Sequence, residues 1–278
     1  MTTLRNFSIL CFFLLVGLSA CKQRAALPNE ISSAEAQRIA LAGASEAKGV
    51  RFENRYELVG AAMRLTMDGV VLETAWKSLR KQRRTCLVPV HLTDKEGTIL
   101  AQADYRQQEG EVPEGIFWRE AVTIPYEKFS GAIAIGIGLL ESGDKWLAAD
   151  RGPRDMENGR LLLPLPAQLP AFAKGVPFTG FIEGANCTEI VGWVWNRMQP
   201  DEVVKLDICD DESVIVTVEA SAFRDDLAKN AVGTGKHGFR IPTPAQFKDG
   251  KPHAVRARIA GTGIDLRGSP ISLTCKGN

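Results

Sequence analysis

The sequence predicts an all-β protein: two consecutive antiparallel β-sandwich (immunoglobulin-like) domains, preceded by a signal peptide and a short helical tether. Three observations predict it. From Val50 onward, apolar residues recur with period two in short runs, the spacing of half-buried strands rather than of helices. The runs are separated by turn signals such as Asp68-Gly69 and Asp94-Lys95-Glu96-Gly97, compact enough for antiparallel neighbours. One proline-spaced stretch, "LPLPAQLPAFAKGVP" from Leu163 to Pro177, interrupts the pattern, and a second set of similar runs follows it.

Residues 1–20 form the first segment. Arg5 is the only charged residue before Lys22, and Phe7 to Gly17 is an apolar core too short to span a bilayer comfortably but right for a signal peptide. Leu18, Ser19, Ala20 and Cys21 resemble the lipobox of bacterial lipoproteins. The resemblance implies cleavage before Cys21, lipid on its thiol, and a membrane as partner through that lipid. Several acyl chains hold firmly where one is marginal. Lys22 stands where an inner-membrane retention signal would place aspartate, so the same resemblance implies the outer membrane of a Gram-negative envelope.

Residues 21–48 read as a tether. Ser32 and Glu35 have the spacing of a capping box, and the alanine-rich stretch through Glu46 holds good helix formers with only a weak apolar stripe. In residues 49–166, the first sandwich, Leu72, Thr74 and Trp76 share one strand face and Val88, Val90 and Leu92 another. "GAIAIGIGLL" places Ile133, Ile135, Ile137 and Leu139 on one side. Residues 167–175 form the linker, because prolines lack an amide donor and disfavour helix at the residue before them. Residues 176–278 hold the second sandwich, with runs at 181–183, 190–195, 203–209, 214–219, 238–241, 254–260 and 271–274. Seven short strands is the count of an immunoglobulin-like sandwich.

Two further resemblances follow from these segments. "GVRFENRYELVGA", "LETAWKSL", "VPVHLTDKEGTILAQADYRQQEGEVPEGIFW" and "GAIAIGIGLLE" resemble the β-sandwich domain appended to bacterial membrane glycosyltransferases of the mannosyltransferase type. The many-helix membrane part that carries catalysis there has no counterpart in these residues, so a transferase activity does not carry over. "GFIEGANCTEIVGWVWNRMQP", "AFRDDLAKNAVGTGKHGFRIP" and "KDGKPHAVRARIAGTGIDLRGSPISL" resemble an immunoglobulin-like module attached to bacterial glycosyltransferases and cell-surface proteins. Both imply surface glycan by association, since a fold does not fix a function.

Composition narrows the partners. Lys and Arg number 34 against 33 Asp and Glu, for a formal net charge of +1, and no segment carries the concentrated basic excess that nucleic acid requires. Of six cysteines, Cys11 leaves with the signal, Cys21 is the lipidation site, and Cys86, Cys187, Cys209 and Cys275 enter an oxidising compartment. Cys187 and Cys209 flank a predicted hairpin turning at 196–202, and Cys275 competes for Cys187. One bridge is expected among these three, with the pairing open; Cys86 reads as a buried thiol.

Candidate sites are few. Trp193 and Trp195, two apart on a strand with Val191, face one way: either into the core, the usual place for a sandwich tryptophan, or outward as a stacking platform for sugar rings. Phe117 and Trp118 follow the Gly- and Pro-rich "EGEVPEGI" and read as glycan-binding rings at a loop edge, with Trp146 in a similar setting. Arg80, Lys81, Arg83 and Arg84, with Lys77, form a basic tip suited to phosphates of lipopolysaccharide or another acidic polymer, or simply to solubility. Asp207, Asp210, Asp211 and Glu212 gather oxygens at a turn, but without EF-hand spacing, so no metal is assigned. Arg224 with Asp225 and Asp226, and His237 among Gly233, Gly235 and Gly238, read as loop chemistry. With three histidines and no Gly-x-Ser-x-Gly elbow, no catalytic residue and no cofactor is assigned. The expectation is a non-catalytic envelope lipoprotein that binds or organises surface glycan; the alternative is an adaptor that contacts another envelope protein.

Overall fold

The alternating runs become strands at nearly every expected position. The computed structural model describes residues 27, 29–84, 86–107, 109–141, 144–155, 158–167, 169–172 and 175–276; the signal segment and Cys21 lie outside them. In chain order, the first half holds β1 (Glu30–Ile31), helix α1 (Ser33–Ala42), β2 (Val50–Phe52), β3 (Tyr56–Thr66), β4 (Gly69–Ser78) and β5 (Gln82–Arg84). These are followed by β6 (Leu87–Val88), β7 (Val90–Thr93), β8 (Ile99–Gln102), β9 (Tyr105–Arg106), β10 (Gly110–Val112) and β11 (Phe117–Ile124). The half ends with β12 (Ala134–Ile137), β13 (Leu139–Glu141), β14 (Lys145–Leu147) and β15 (Leu161–Pro164). The second half holds β16 (Phe178–Ala185), β17 (Glu189–Asn196), β18 (Val204–Asp210), β19 (Ser213–Ala220), β20 (Ala222–Phe223), helix α2 (Asp225–Lys229), β21 (Lys236–Pro242), β22 (Pro252–Ile259) and β23 (Ile271–Thr274).

The strands pair antiparallel within each half. In the first, a five-stranded sheet β1-β11-β4-β3-β2 opposes the sheets β15-β12-β7-β8 and β14-β13-β6-β9, with β5 and β10 paired at the side. Leu72, Thr74 and Trp76 are all buried, as are Val88, Val90, Leu92, Ile135, Ile137 and Leu139; Ile133 instead lies outside β12 and is exposed. Pro164 is tolerated in a strand because β15 is an edge. In the second half, β16-β17-β21-β20 packs on β19-β18-β22-β23.

Helix α1 forms where the capping box places it. Ser32 Oγ accepts from the Glu35 amide at 3.2 Å and the Glu35 carboxylate accepts from the Ser32 amide at 2.8 Å. It does not stand free as a spacer, however. Ala36, Ile39 and Ala40 bury against Val59, Ala62 and Ala75, so the weak apolar stripe is a narrow docking face of small residues. Gly60 makes the approach possible, since a Cβ there would lie 2.3 Å from the Ala40 Cα. β1 adds to the same sheet through pairing with Phe117 and Trp118.

The two halves touch along the β3–β4 hairpin. The Asp265 amide donates to Leu65 O at 3.0 Å, and Arg267 meets Asp68 at 2.6 Å. The fully buried Asp265 carboxylate accepts from Arg256 at 3.1 Å and Arg258 at 2.8 Å, and Arg64 of the first half approaches it to 3.5 Å. A carboxylate withdrawn from water is tolerable only with such partners. Buried apolar side chains of both halves, including Leu65, Met67, Ile264 and Leu266, belong to one continuous cluster.

Candidate functional site

The outer face of the β16-β17-β21-β20 sheet gathers the exposed aromatic surface. Along β17, Ile190 and Val194 point into the core, so Val191, Trp193 and Trp195 point outward and are half-buried. Gly192 explains why the inner face is the less bulky one: a Cβ there would come within 2.6 Å of Phe239, whose ring takes the space. Register places Phe181 beside Trp193 and Thr179 beside Trp195 on β16, and Phe181 is 43% exposed.

Opposite Trp193 on β21 stands Gly238, over which the Arg224 stem passes; a Cβ at 238 would lie 2.9 Å from Arg224 Cδ. The Arg224 guanidinium donates to both Asp226 oxygens at 2.6 and 3.0 Å and to Glu183 at 2.5 Å. Since Glu183 is on β16 and Arg224 follows β20, this bridge spans the outward face of the whole sheet. Hydrogen bonds to Asp226 and Glu183 push the Arg224 pKa up, and the same bond from Arg224 lowers that of Asp226.

Trp195 is held at the far end of this face. Its Nε1 donates to Pro200 O at 3.3 Å, and its ring lies 6.2 Å from that of His237. Gly233, with φ of 52°, closes over both, because a Cβ there would fall 2.2 Å from His237 Nε2. His237 is buried, burial lowers its pKa, and neither ring nitrogen has a partner among the described residues. Phe223, 60% exposed, continues the apolar surface at β20. Flat rings beside fixed acceptors and a fixed donor can stack on pyranose faces and bond hydroxyls, and the arrangement contains no activated nucleophile among the described residues.

Comparison with known proteins leaves this face to be read from its own residues. No family model matches the chain, and no curated protein matches significantly. Among solved structures it is similar to red sea bream transglutaminase at 8% identity and a TM-score of 0.24, over 83% of this chain and 32% of that one. The chain thus spans about a third of that protein, and likeness at that level supports neither fold nor function.

The other residues singled out from the sequence fall elsewhere. Trp118 is not at a loop edge but inside β11, directly across from Trp76, and fully buried. Its ring is unavailable to a sugar. Phe117, next in the strand, is half-buried against the α1 cluster with Lys77 Nζ 5.3 Å from its centroid. Trp146 packs over Gly138, where a Cβ would lie 2.8 Å from its ring. The basic tip is divided. Arg80, Lys81 and Arg83 are exposed, Lys81 and Arg83 facing Glu111 and Glu109 at 3.6 and 3.8 Å, whereas Arg84 is fully buried over Trp118.

The acidic turn is occupied by protein donors. Asp207 accepts from Thr217, Asp210 meets His253 at 2.7 Å, and Asp211 and Glu212 bind Arg256 and Arg258. The disulfide joins Cys187 to Cys275, with Cα atoms 5.5 Å apart, and Cys209 is a free buried thiol whose pKa burial raises to about 11. The hairpin expected to bring Cys187 and Cys209 together does not form: β17 and β18 belong to opposing sheets, so the turn at 196–202 crosses the sandwich.

A concavity of about 740 Å³ runs between α1 and the β22 side of the second half. Arg38, Arg64, Arg119, Arg256 and Arg258 line it, each with a carboxylate within 4.0 Å. Sequence reasoning named Trp193 and Trp195 but missed Phe181 and Phe223. Phe181 had a signal, its alternation with Ile182 in "GFIEG"; Phe223, in a two-residue strand, had none.

Proposed function

We propose that this protein is a membrane-anchored, non-catalytic envelope lipoprotein that binds surface glycan on the outer face of its second sandwich. The observation that carries the reading is the outward pair Trp193 and Trp195, flanked by Phe181 and bounded by the Glu183–Arg224–Asp226 bridge. Polar groups already fixed by mutual bonds suit hydroxyl recognition at little ordering cost. The lipid is assigned to Cys21 on the lipobox resemblance, and the outer membrane on Lys22.

Retention of the full-length chain on envelope polysaccharide tests the binding. Trp193→Ala and Trp195→Ala are each expected to weaken retention roughly tenfold, equivalent to about 1.4 kcal/mol. Unchanged retention in both variants overturns the glycan site. The anchor is tested separately, by the loss of processed Cys21→Ser protein from the membrane fraction.

One observation favours a second reading, an adaptor for another envelope protein. Ile99, Leu100 and Ile133 are exposed, and Ile133 edges a groove of about 470 Å³ lined also by Phe129, Leu165 and Leu169. Crosslinking from this surface to one envelope protein, with no polysaccharide retention, would select it.

A further inference from the structure

Arg84 is one of the side chains that its protein partners leave unsatisfied among the described residues. Its guanidinium is fully buried, and a buried arginine is rare unless paired. Nη1 points to Asn29 Oδ1 at 3.5 Å, a weak contact, while Nε and Nη2 have no partner among the described residues. These two nitrogens form the side-on fork that matches two oxygens of an anion. Below the guanidinium lies the Trp118 ring, its centroid 5.0 Å away, and the Trp118 Nε1 hydrogen is likewise unmatched.

Gln107 is tied to the same stretch of chain as Arg84. Its backbone amide donates to Cys86 O, two residues from Arg84, and its buried amide side chain has both nitrogen and oxygen unpartnered among the described residues. Glu120, whose carboxylate acts on Arg84, makes no hydrogen bond to the fork. It is reached only through Asn29, whose Nδ2 donates to Glu120 Oε1 at 2.9 Å while Oδ1 faces Arg84. Nη1, and not the fork, is therefore the part of the guanidinium linked to Glu120.

We infer that Arg84, with Trp118 Nε1 and Gln107 Nε2, forms an internal site for one compact monovalent anion, of halide or formate size. The donor set decides the sign: the fork, the indole and the amide nitrogen are all donors, against the single acceptor Gln107 Oε1. Burial decides the size, because Arg84, Gln107 and Trp118 are all at most 2% exposed and leave no opening for a polymer or a headgroup. A single guanidinium, linked to the Glu120 carboxylate through Asn29 and not by a direct hydrogen bond, decides that the anion is monovalent. This site is distinct from the exposed Arg80, Lys81 and Arg83, and independent of the aromatic face. It borders Asn29 and β1, so an anion held there ties the beginning of the described chain to the sheet.

Thermal unfolding of the full-length chain in chloride, bromide and formate, against bulky gluconate at equal ionic strength, tests the site. A saturable rise in Tm is expected, of about 5 °C or more once the anion reaches 100 times its Kd. Crystals in bromide are expected to show an anomalous peak in contact with Arg84 Nε and Nη2. Arg84→Met keeps the stem volume and removes a buried charge, a change such sites often tolerate, and should abolish the salt response. Trp118→Phe keeps a ring without the N–H and should weaken the apparent affinity several-fold. Equal Tm in all four salts, a bromide map with ordered water only at Arg84, or an unaltered response in both variants overturns the proposal; the last would move binding to the exposed basic residues.

Discussion

Two tryptophan pairs, one in each sandwich, were built by the same alternation and ended in opposite environments. Trp76 and Trp118 face each other across β4 and β11 and are wholly enclosed. Trp193 and Trp195 follow each other along β17 and look outward. The difference teaches that period-two spacing fixes which residues share a face but not which face is the core. That choice was made at Gly192, an empty position that admits Phe239 from β21 and lets Ile190 and Val194 close on the opposing sheet. Bulk alone would have chosen the other side.

The sharpest way to break the comparison is truncation. Trp118→Ala should destabilise by about 3–5 kcal/mol, whereas Trp193→Ala should cost about 1 kcal/mol or less while impairing glycan retention. Urea unfolding measures both, and equal losses would mean that the second pair is core. Next in size, reducing Cys187–Cys275, which closes a segment of 88 residues, should cost about 2–4 kcal/mol, appearing as a lower Tm under reductant that Cys209→Ser does not reproduce. Gly192→Val tests the decisive position, since its side chain would meet Phe239 and Phe181 O. A loss of about 1–3 kcal/mol is expected from overpacking, seen as an earlier urea midpoint.

The smallest effect contrasts two histidines. The Asp210 and Asp249 carboxylates accept from the His253 ring nitrogens, and these hydrogen bonds, that to Asp210 first, raise its pKa above 6.5. Its stabilising contribution is complete below about pH 6.5 and fades as pH rises through the higher folded value. His91 in the first sandwich runs the other way, because burial depresses its pKa and the Arg160 guanidinium sits on its Nδ1. Acidification below its unfolded value therefore costs stability there. The destabilisation by His253→Asn should shrink between pH 5 and 8, and that by His91→Asn should grow.

Most of the fold was legible because alternation and turns are local. All seven expected strands of the second sandwich form, within a few residues of their expected bounds, and the capping box starts α1 at Ser33. What failed was long-range. That β17 crosses to the other sheet before β18 decided the disulfide, and no local signal announces a crossing. Trp118 followed a turn-rich stretch, yet β1 and β4 flank it on both sides, and the pairing with β1 comes from residues 87 or more positions away. Arg84 looked like part of a solvated tip because charge density ignores the alternation that turned it inward.

The docking of α1 and β1 also sets a reach. Asn29 is already bonded to Arg119 and Glu120, and it stands only eight positions after Cys21. Fully drawn out, that leash measures about 28 Å. A lipid at Cys21, as proposed, would hold the first sandwich close against the bilayer, within a ligand's length of the headgroups, and any ligand of the proposed glycan face would then have to come to the membrane.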